Sequence, residues 1–393
     1  MHTLSVLAIT ITSRPNLNDG MVNYAKTIAF SFEKDLNVSS ELFILGSFKK
    51  PITWLRRLEK KLSSKKKYDI IHLHLSLSHI GGAFGANFNY LVKIINQIKL
   101  PLVVTIHDSC LTKNFVYFVK KQQKKEIRQN RINNSKSVQL FKTISANIKA
   151  LIFFKVLQKK AFCFIVHSKF ELSLVDSAIS PKKISIIPHF IKPIRRFVRG
   201  GVKKKLGLHN KTVLTVLGFI SERKNQLLAV ESMKLLPSNF VLVLAGAPLK
   251  VSDEYYKKIL LVIRKKGLKS KVKLTGHLSL RKYAEYISAT DIAICPFKSF
   301  SASGSLSDML SANVPILSSS LPQIDELNES SNFAIKTFLK GDPKVLAKRI
   351  NEVAAQNHSA QKKAIKQICS LHSIKKVSDL YYSIYQDSLK KKY

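Results

Sequence analysis

Residues 291–320 read DIAICPFKSFSASGSLSDMLSANVPILSSS. The apolar run Ile292–Pro296 predicts a buried parallel strand, and Ser299–Ser305 a loop of small hydroxyl residues. Leu306–Ala312 follows as a short helix and Val314–Leu317 as a second apolar strand. A loop of this kind presents backbone N–H groups at the positive end of a helix, which is a ready anion site. At the turn, Gly304 lets a ligand approach the chain closely, while the hydroxyls of Ser303 and Ser305 add donors. Asp308 lies about one turn into the helix, where a carboxylate accepts hydrogen bonds from a ribose. The plain alternative is a β–turn–α unit whose serines merely cap a helix. The rest of the chain decides between the two.

Outward from this stretch, short apolar runs alternate with longer helical patterns. The predicted strands are Leu4–Ile11, Ser40–Leu45, Ile70–Leu75, Leu102–Ile106, Phe162–Val166 and Ile184–Ile187 in one series. A second series runs Val213–Gly218, Phe240–Gly246, Val272–Leu274, Ile292–Cys295 and Pro315–Ser318. Both are apolar on both faces, as strands of a covered parallel sheet are. Strands alternating with helices imply βαβ units and doubly wound sheets. The break falls at Lys192–Asn210, KPIRRFVRGGVKKKLGLHN, which has the proline, glycine and charge of a linker. The predicted organisation is a domain at 1–195, a second at 196–370, and a C-terminal amphipathic helix within 371–393. In that helix Val377, Leu380, Tyr381, Ile384 and Leu389 mark the apolar face.

A length of 393 residues and 45% hydrophobic content fit two packed domains. Cys110, Cys163, Cys295 and Cys369 are far apart, with no CxxC pair, and read as reduced thiols rather than a disulfide framework. MHTLSVLAITITS at the N-terminus reads as a first strand, not a signal peptide. No apolar run is long enough for a membrane span; Ala150–Val166 is interrupted by Lys155, Lys159 and Lys160. The net charge of +42 calls for an anionic partner: nucleic acid, phosphorylated substrate or anionic membrane. Phe118–Lys160 is the most basic segment, predicted to be helical, with one face packed on the first domain or laid on a membrane surface. Zinc fingers, RNA-recognition aromatics and KH-type loops are missing from the sequence, so specific nucleic-acid recognition is not expected. The eleven histidines lack zinc spacing, and no Asp-x-Asp pair suits a divalent metal.

Several separate pieces resemble, in order, the GT-B glycosyltransferases, specifically the retaining group called family 4. They are DGM (Asp19–Met21), YDIIHLH (Tyr68–His74), VVTIHD (Val103–Asp108), FIVHS (Phe164–Ser168) and IIPHF (Ile186–Phe190). In the second half they are LGFISERKN (Leu217–Asn225), LAGAP (Leu244–Pro248) and TGHLS (Thr275–Ser279). The resemblance implies two facing Rossmann-like domains, with the C-terminal helix returning to the first. It departs at four places. Phe300 and Asp308 stand where the family has two donor-loop glutamates, Asp19 precedes Gly20 where a glycine pair is common, Phe219 replaces an arginine, and Asn225 a glycine.

The resemblance implies that Lys224, with Arg223 beside it, reaches the donor diphosphate, and that Gly20 lets the first loop approach the same phosphates. Glu326, in LPQIDEL, resembles a family glutamate that contacts the donor. His107 ends a buried strand at the carboxyl edge, where open α/β sheets place ligands, and the matching family histidine contacts the transferred sugar. Asp108 either orients His107 or caps a turn, whereas His167 and His189 read as packed strand-end residues. Lys224 reads as an exposed side chain in a turn. The expected activity is transfer of a sugar, in the hexosyltransferase class, from a nucleotide-sugar donor to a glycan or lipid-linked acceptor. Cell-surface polysaccharide or lipopolysaccharide synthesis on the cytoplasmic face of an anionic membrane is the expected setting, with no metal or other cofactor. The alternative is a GT-B-shaped binding or scaffold protein that has lost catalysis, for which Phe300 is the motive.

Overall fold

The computed structural model describes residues 3–12, 20–36, 38–46, 51–63, 68–75, 88–107, 152–153, 155–175, 179–248, 250, 253–299, 303–331, 333–339 and 341–390. Asp19, Asp108, Cys110, Phe300 and most of the basic segment 118–160 lie outside these residues. The chain forms two compact units, Met1–His189 with Ile374–Tyr393, and Phe190–Ser373. The divisions fall at 189/190 and 373/374, where the sequence predicts 195/196 and 370/371.

The first unit contains β1 (Leu4–Thr12), α1 (Gly20–Asp35), β2 (Val38–Gly46), α2 (Pro51–Leu62), β3 (Ile70–Leu75) and α3 (Phe88–Gln97). It continues with β4 (Leu102–Ile106), β5 (Ala161–Val166), α4 (Lys169–Val175) and β6 (Ile184–Ile186). The strands form one parallel sheet in the order β2-β1-β3-β4-β5-β6. The second unit contains α5 (Arg199–Lys205), β7 (Thr212–Leu217), α6 (Gln226–Ser232), β8 (Phe240–Ala245), α7 (Glu254–Lys265), β9 (Val272–Leu274) and α8 (Leu280–Ala289). After these come β10 (Ile292–Cys295), α9 (Gly304–Ser311), β11 (Ile316–Ser319), α10 (Pro322–Glu329), β12 (Ile335–Phe338), α11 (Pro343–Ala354) and α12 (Ser359–Leu371). Its parallel sheet runs β12-β11-β10-β7-β8-β9. The last helix, α13 (Ile374–Lys390), belongs to the first unit.

Two elements differ from expectation. The sequence contains no signal for β12: IKTF is four residues long and has a lysine and a threonine between its two apolar residues, as an edge strand is free to have. Helix α9 begins at Gly304 rather than Leu306, because Ser303 takes the N-cap position and its hydroxyl accepts from the Leu306 N–H at 3.4 Å. Gly304 and Ser305 are therefore the first helical residues and not part of the loop.

The two faces of the first sheet are chemically unlike. Alternation along the strands puts Leu7, Ile9, Leu73, Val104, Ile106 and Phe164 on one face, against Leu55 and Leu58 of α2 and Leu91 and Ile94 of α3. The register Thr10↔His74↔Thr105 puts polar side chains on the other face, with His72 beside them. Helices α1 and α13 cover that face with Tyr24, Tyr381 and Tyr385, all within 2% of full burial. The buried stripe of α13 is consequently Val377, Ser378, Tyr381, Tyr385 and Ser388, while Leu380 and Leu389, expected inside, are exposed. Phenol and hydroxyl groups face inward because the sheet offers them partners. Tyr385 Oη lies 2.6 Å from His72 Nδ1, Tyr381 Oη 3.1 Å from Tyr24 Oη, and Ser378 Oγ donates to Ser31 Oγ at 2.8 Å.

In the second unit the chain changes direction along the sheet between β7 and β10, and ligands of open α/β sheets bind at the carboxyl ends of such neighbours. The ends of β7 and β8 pack backbone to backbone through Gly218 (φ +100°) and Gly246 (φ +151°). A Cβ at position 246 would stand 2.3 Å from the Gly218 carbonyl oxygen, so backbone itself would have to move. Gly246→Ala is expected to lower unfolding free energy by about 2–4 kcal/mol in urea titration. Gly267→Ala, also at positive φ but with nothing within 4 Å of its Cβ, is expected to lose only about 1 kcal/mol. Equal losses would show that the Gly218–Gly246 approach is not a packing constraint.

Candidate functional site

The turn after β7 carries Lys224 and the helix after β10 begins at Gly304, so both reach the carboxyl edge at the switch point of the second sheet. Lys224 is not exposed, as its place in a turn suggests, but 7% exposed. Its ammonium donates to the Leu217 carbonyl oxygen at 3.0 Å and to Ser305 Oγ at 2.5 Å. Phe297 lies beneath it, with the ring centre 5.4 Å from Nζ. Gly218 makes this path possible: a Cβ there would come within 2.9 Å of Lys224 Nζ. Burial, and next the charge of Arg223, lower the Lys224 pKa to about 8, against an opposing pull from Cys295 and Asp308. Both hydrogen-bond acceptors of the ammonium are neutral oxygens. A cation so placed has much to gain from an anion.

Ser305 links this lysine to the start of α9. Its hydroxyl lies 3.0 Å from that of Ser303, and Ser303 caps the helix. The N–H groups of Gly304 and Ser305 have no intrahelical acceptor, because they open the helix. Gly304 is exposed, and a Cβ on it meets no protein atom within 4 Å. Asp308, one turn on, is half-buried, and Tyr283 Oη of α8 donates to its Oδ2 at 2.5 Å. Burial raises the carboxyl pKa, and the Tyr283 hydrogen bond and the charges of Lys192 and Lys224 oppose that rise. Lys224, Ser303, Gly304, Ser305 and Asp308 thus form one cluster of a cation, helix N–H donors and a carboxylate. Arg223 stands exposed next to it in sequence. Glu326 is half-buried on α10, after β11. Asn225 adopts the left-handed conformation (φ +53°), which asparagine tolerates better than other side chains, so it fits where the related pattern has glycine.

Gly20 and His107 belong to the first unit. Gly20 opens α1 and is exposed. His107 follows β4 and is the centre of a buried chain that the sequence does not reveal. His167 Nδ1 lies 2.9 Å from the Ile187 carbonyl oxygen, which only accepts, so Nδ1 carries the proton. His167 Nε2 is then an acceptor for His107 Nδ1–H at 3.3 Å, and His107 Nε2 an acceptor for His74 Nδ1–H at 3.0 Å. One backbone carbonyl therefore fixes the tautomer of three neutral imidazoles. Both ring nitrogens of His107 are engaged within the unit, by His74 and His167. Tyr24 sits among these rings, with centroids 5.0 Å from His107, 5.3 Å from His167 and 4.9 Å from His189. His167 and His189 are packed residues, as their strand-end positions suggest.

Sequence reasoning missed Tyr283, Phe297 and the close approach of Gly218 to Gly246. Only the glycines carry a local signal, as residues closing apolar strands before a turn. Among the described residues, no group of three His, Cys, Asp or Glu side chains is arranged to hold a metal ion.

Residues 201–368 match the family model described as glycosyl transferases group 1. That match lies within the second unit. Among curated proteins, none matches the chain. Solved structures of similar fold include Anabaena Alr3699/HepE in complex with UDP and glucose, with TM-score 0.69 and 14% identity, covering 98% of this chain and 100% of that one. Sucrose-phosphate synthase from Thermosynechococcus elongatus has TM-score 0.69 and 13% identity, covering 98% of each chain. The lipopolysaccharide outer core galactosyltransferase WaaB, in its apo form, has TM-score 0.62 and 12% identity, covering 97% of this chain and 99% of that one. At such identities these likenesses establish the fold alone, the two-domain α/β fold of GT-B glycosyltransferases.

The histidine face makes the first unit acid-sensitive. Burial lowers the pKa of His72 to about 3 and of His167 to about 4, and holds His74 and His107 well below 6.5. The unfolded chain takes up these protons near pH 6.5 and the folded chain only at lower pH, near 3 at His72 and near 4 at His167, so stability is full above pH 6.5 and falls below it. Each such histidine contributes a slope of up to about 1.4 kcal/mol per pH unit. Thermal melts should show Tm falling steadily from pH 6.5 to pH 4.5, and His167→Asn should reduce the slope. A Tm independent of pH over that interval would exclude neutral buried imidazoles.

Proposed function

We propose that the chain is a glycosyltransferase that takes a sugar from a nucleotide-sugar donor held on its group 1 domain. The observation that carries this reading is the buried Lys224 ammonium tied through Ser305 to the first turn of α9. Breaking the bond between sugar and diphosphate places new negative charge on the departing phosphate oxygen. A lysine and free helix N–H groups at that point stabilise the transition state more than the intact donor. Because burial already disfavours the lone ammonium, an arriving diphosphate relieves it. Asp308 accepts a ribose hydroxyl, Arg223 adds exposed positive charge, and Glu326 lies on the helix after the neighbouring strand. Gly20 and His107 belong to the reading as residues of the first unit, His107 shaping its surface and not acting as a free base. Charge neutralisation by Lys224 and α9 leaves no step that requires a divalent cation, so the transfer is proposed to be metal-independent.

The acceptor in this reading is a glycan or glycolipid of a surface polysaccharide or lipopolysaccharide, and the transferred group a hexose, transferred with retention of configuration. HepE crystallised with UDP and glucose and WaaB named as a galactosyltransferase support it as similar folds. The +42 net charge supports work at an anionic membrane surface on its cytoplasmic side. No helix among the described residues is long and apolar enough to cross a membrane.

The test begins with thermal stability of the wild type against UDP, GDP, ADP and CMP and their sugar conjugates. One nucleotide family should raise Tm, because a ligand bound only to the folded state stabilises it. Lys224→Met should then lower turnover about 100-fold or more, the scale of losing one transition-state donor. The same variant should be at least as stable as wild type, since it removes a buried charge whose hydrogen-bond partners are neutral. A chelator such as EDTA should leave the rate unchanged. Full activity in Lys224→Met would remove the phosphate role. Donor binding without any transfer would favour the binding-protein reading.

A further inference from the structure

The donor-site cluster contains one residue with no role so far. Tyr283 lies in the first turn of α8, where Ser279 caps the helix and Ala284, Tyr286 and Ile287 are buried. Its own N–H donates to the Ser279 carbonyl oxygen at 2.8 Å, and its ring packs against the core of the second unit. The phenol is thus anchored at its base and along its length, and only its hydroxyl reaches Asp308 Oδ2, at 2.5 Å. Asp308 Oδ1 makes no hydrogen bond among the described residues, and Lys192 and Lys224 act on the carboxylate by charge.

An aspartate with neither oxygen held rotates about two bonds and meets a ligand in many orientations. Tying Oδ2 to a rigid donor fixes both torsions, so Oδ1 points in one direction before any ligand arrives. Resting on the donor-site reading above, we propose that Tyr283 is a positioning residue that holds Asp308 so that its other oxygen meets a ribose hydroxyl of a nucleoside diphosphate. The phenol is suited to the task because burial and the neighbouring carboxylate push its pKa far up, so it remains a donor at any working pH. The groups that set the ionisation of Asp308 are burial and, from the elements around it, Tyr283 of α8, Lys192 before α5, and Lys224 after β7. Burial raises its pKa and the other three lower it, so removing the phenol hydroxyl raises it further.

The experiment is calorimetric titration, from pH 8 to pH 5, with whichever of uridine, guanosine or adenosine diphosphate binds best, and with its 2′- and 3′-deoxy forms. Wild type should bind less well as pH falls, because protonated Asp308 no longer accepts on both oxygens, and should lose affinity when one ribose hydroxyl is removed. Tyr283→Phe should weaken binding about tenfold at neutral pH, the scale of one hydrogen bond to a charged group. It should also move the acid limb to higher pH and reduce the penalty for the missing hydroxyl. Asp308→Asn should abolish both the limb and the penalty, a second test that holds even where Tyr283→Phe folds poorly. Wild-type affinity and an unmoved acid limb in Tyr283→Phe would make the contact merely structural and overturn the proposal, as would an unchanged limb in Asp308→Asn. A wild type that binds none of the diphosphates would overturn the donor-site reading itself.

Discussion

A lysine ammonium held out of water at the carboxyl edge of a parallel sheet is the constraint around which the second unit is arranged. Lys224 reaches the Leu217 carbonyl and the Ser305 hydroxyl only because Gly218 has no side chain, and Gly218 is placed by its backbone contact with Gly246. Phe297 closes the space below, and Ser303 sets where α9 begins. Each of these residues would be unremarkable alone. Together they bring a cation and the positive end of a helix to one point, between the two strands where the sheet reverses its order.

The first unit solves a different problem. One face of its sheet is a conventional apolar core, while the other buries three imidazoles and three phenols, with His107 half-buried beside them. Such a face is stable only where each polar group finds a partner. The Ile187 carbonyl orders the histidine chain, and Tyr385 and Tyr381 tie α13 to His72 and Tyr24. The C-terminal helix therefore belongs to this unit by hydrogen bonding as well as by packing.

Apolar runs disclosed nearly every strand of both sheets, because strands buried on both faces have little choice of residue. The edge strand β12 escaped notice since Lys336 and Thr337, both only half-buried, fill two of its four positions and break the apolar run. The small hydroxyl residues ahead of α9 in sequence and the lysine after β7 were legible as parts of a candidate anion site. Their joining was not, because Lys224 and Ser305 are 81 positions apart and the glycine contact that buries the lysine comes from two other strands. Amphipathic patterning misjudged α13 for a related reason. Hydrophobicity identifies the inward face only when the partner surface is apolar, and here the partner is His72 and Thr105. His107 was correctly singled out as a strand-end histidine, yet its neighbours His74 and His167 come from β3 and the end of β5, and only tertiary structure shows that they occupy both of its nitrogens.

The central claim is that the buried Lys224 ammonium awaits an anionic ligand. The most direct measurement is the titration of its ε-amine, followed by NMR of isotope-labelled lysine with Lys224→Met as the assignment control, in the absence and presence of the best-binding nucleoside diphosphate. The account predicts a pKa of about 8 without ligand. With ligand it predicts a return to about 10 or above, as an adjacent anion favours the charged form. A titration that is the same with and without the diphosphate would contradict it.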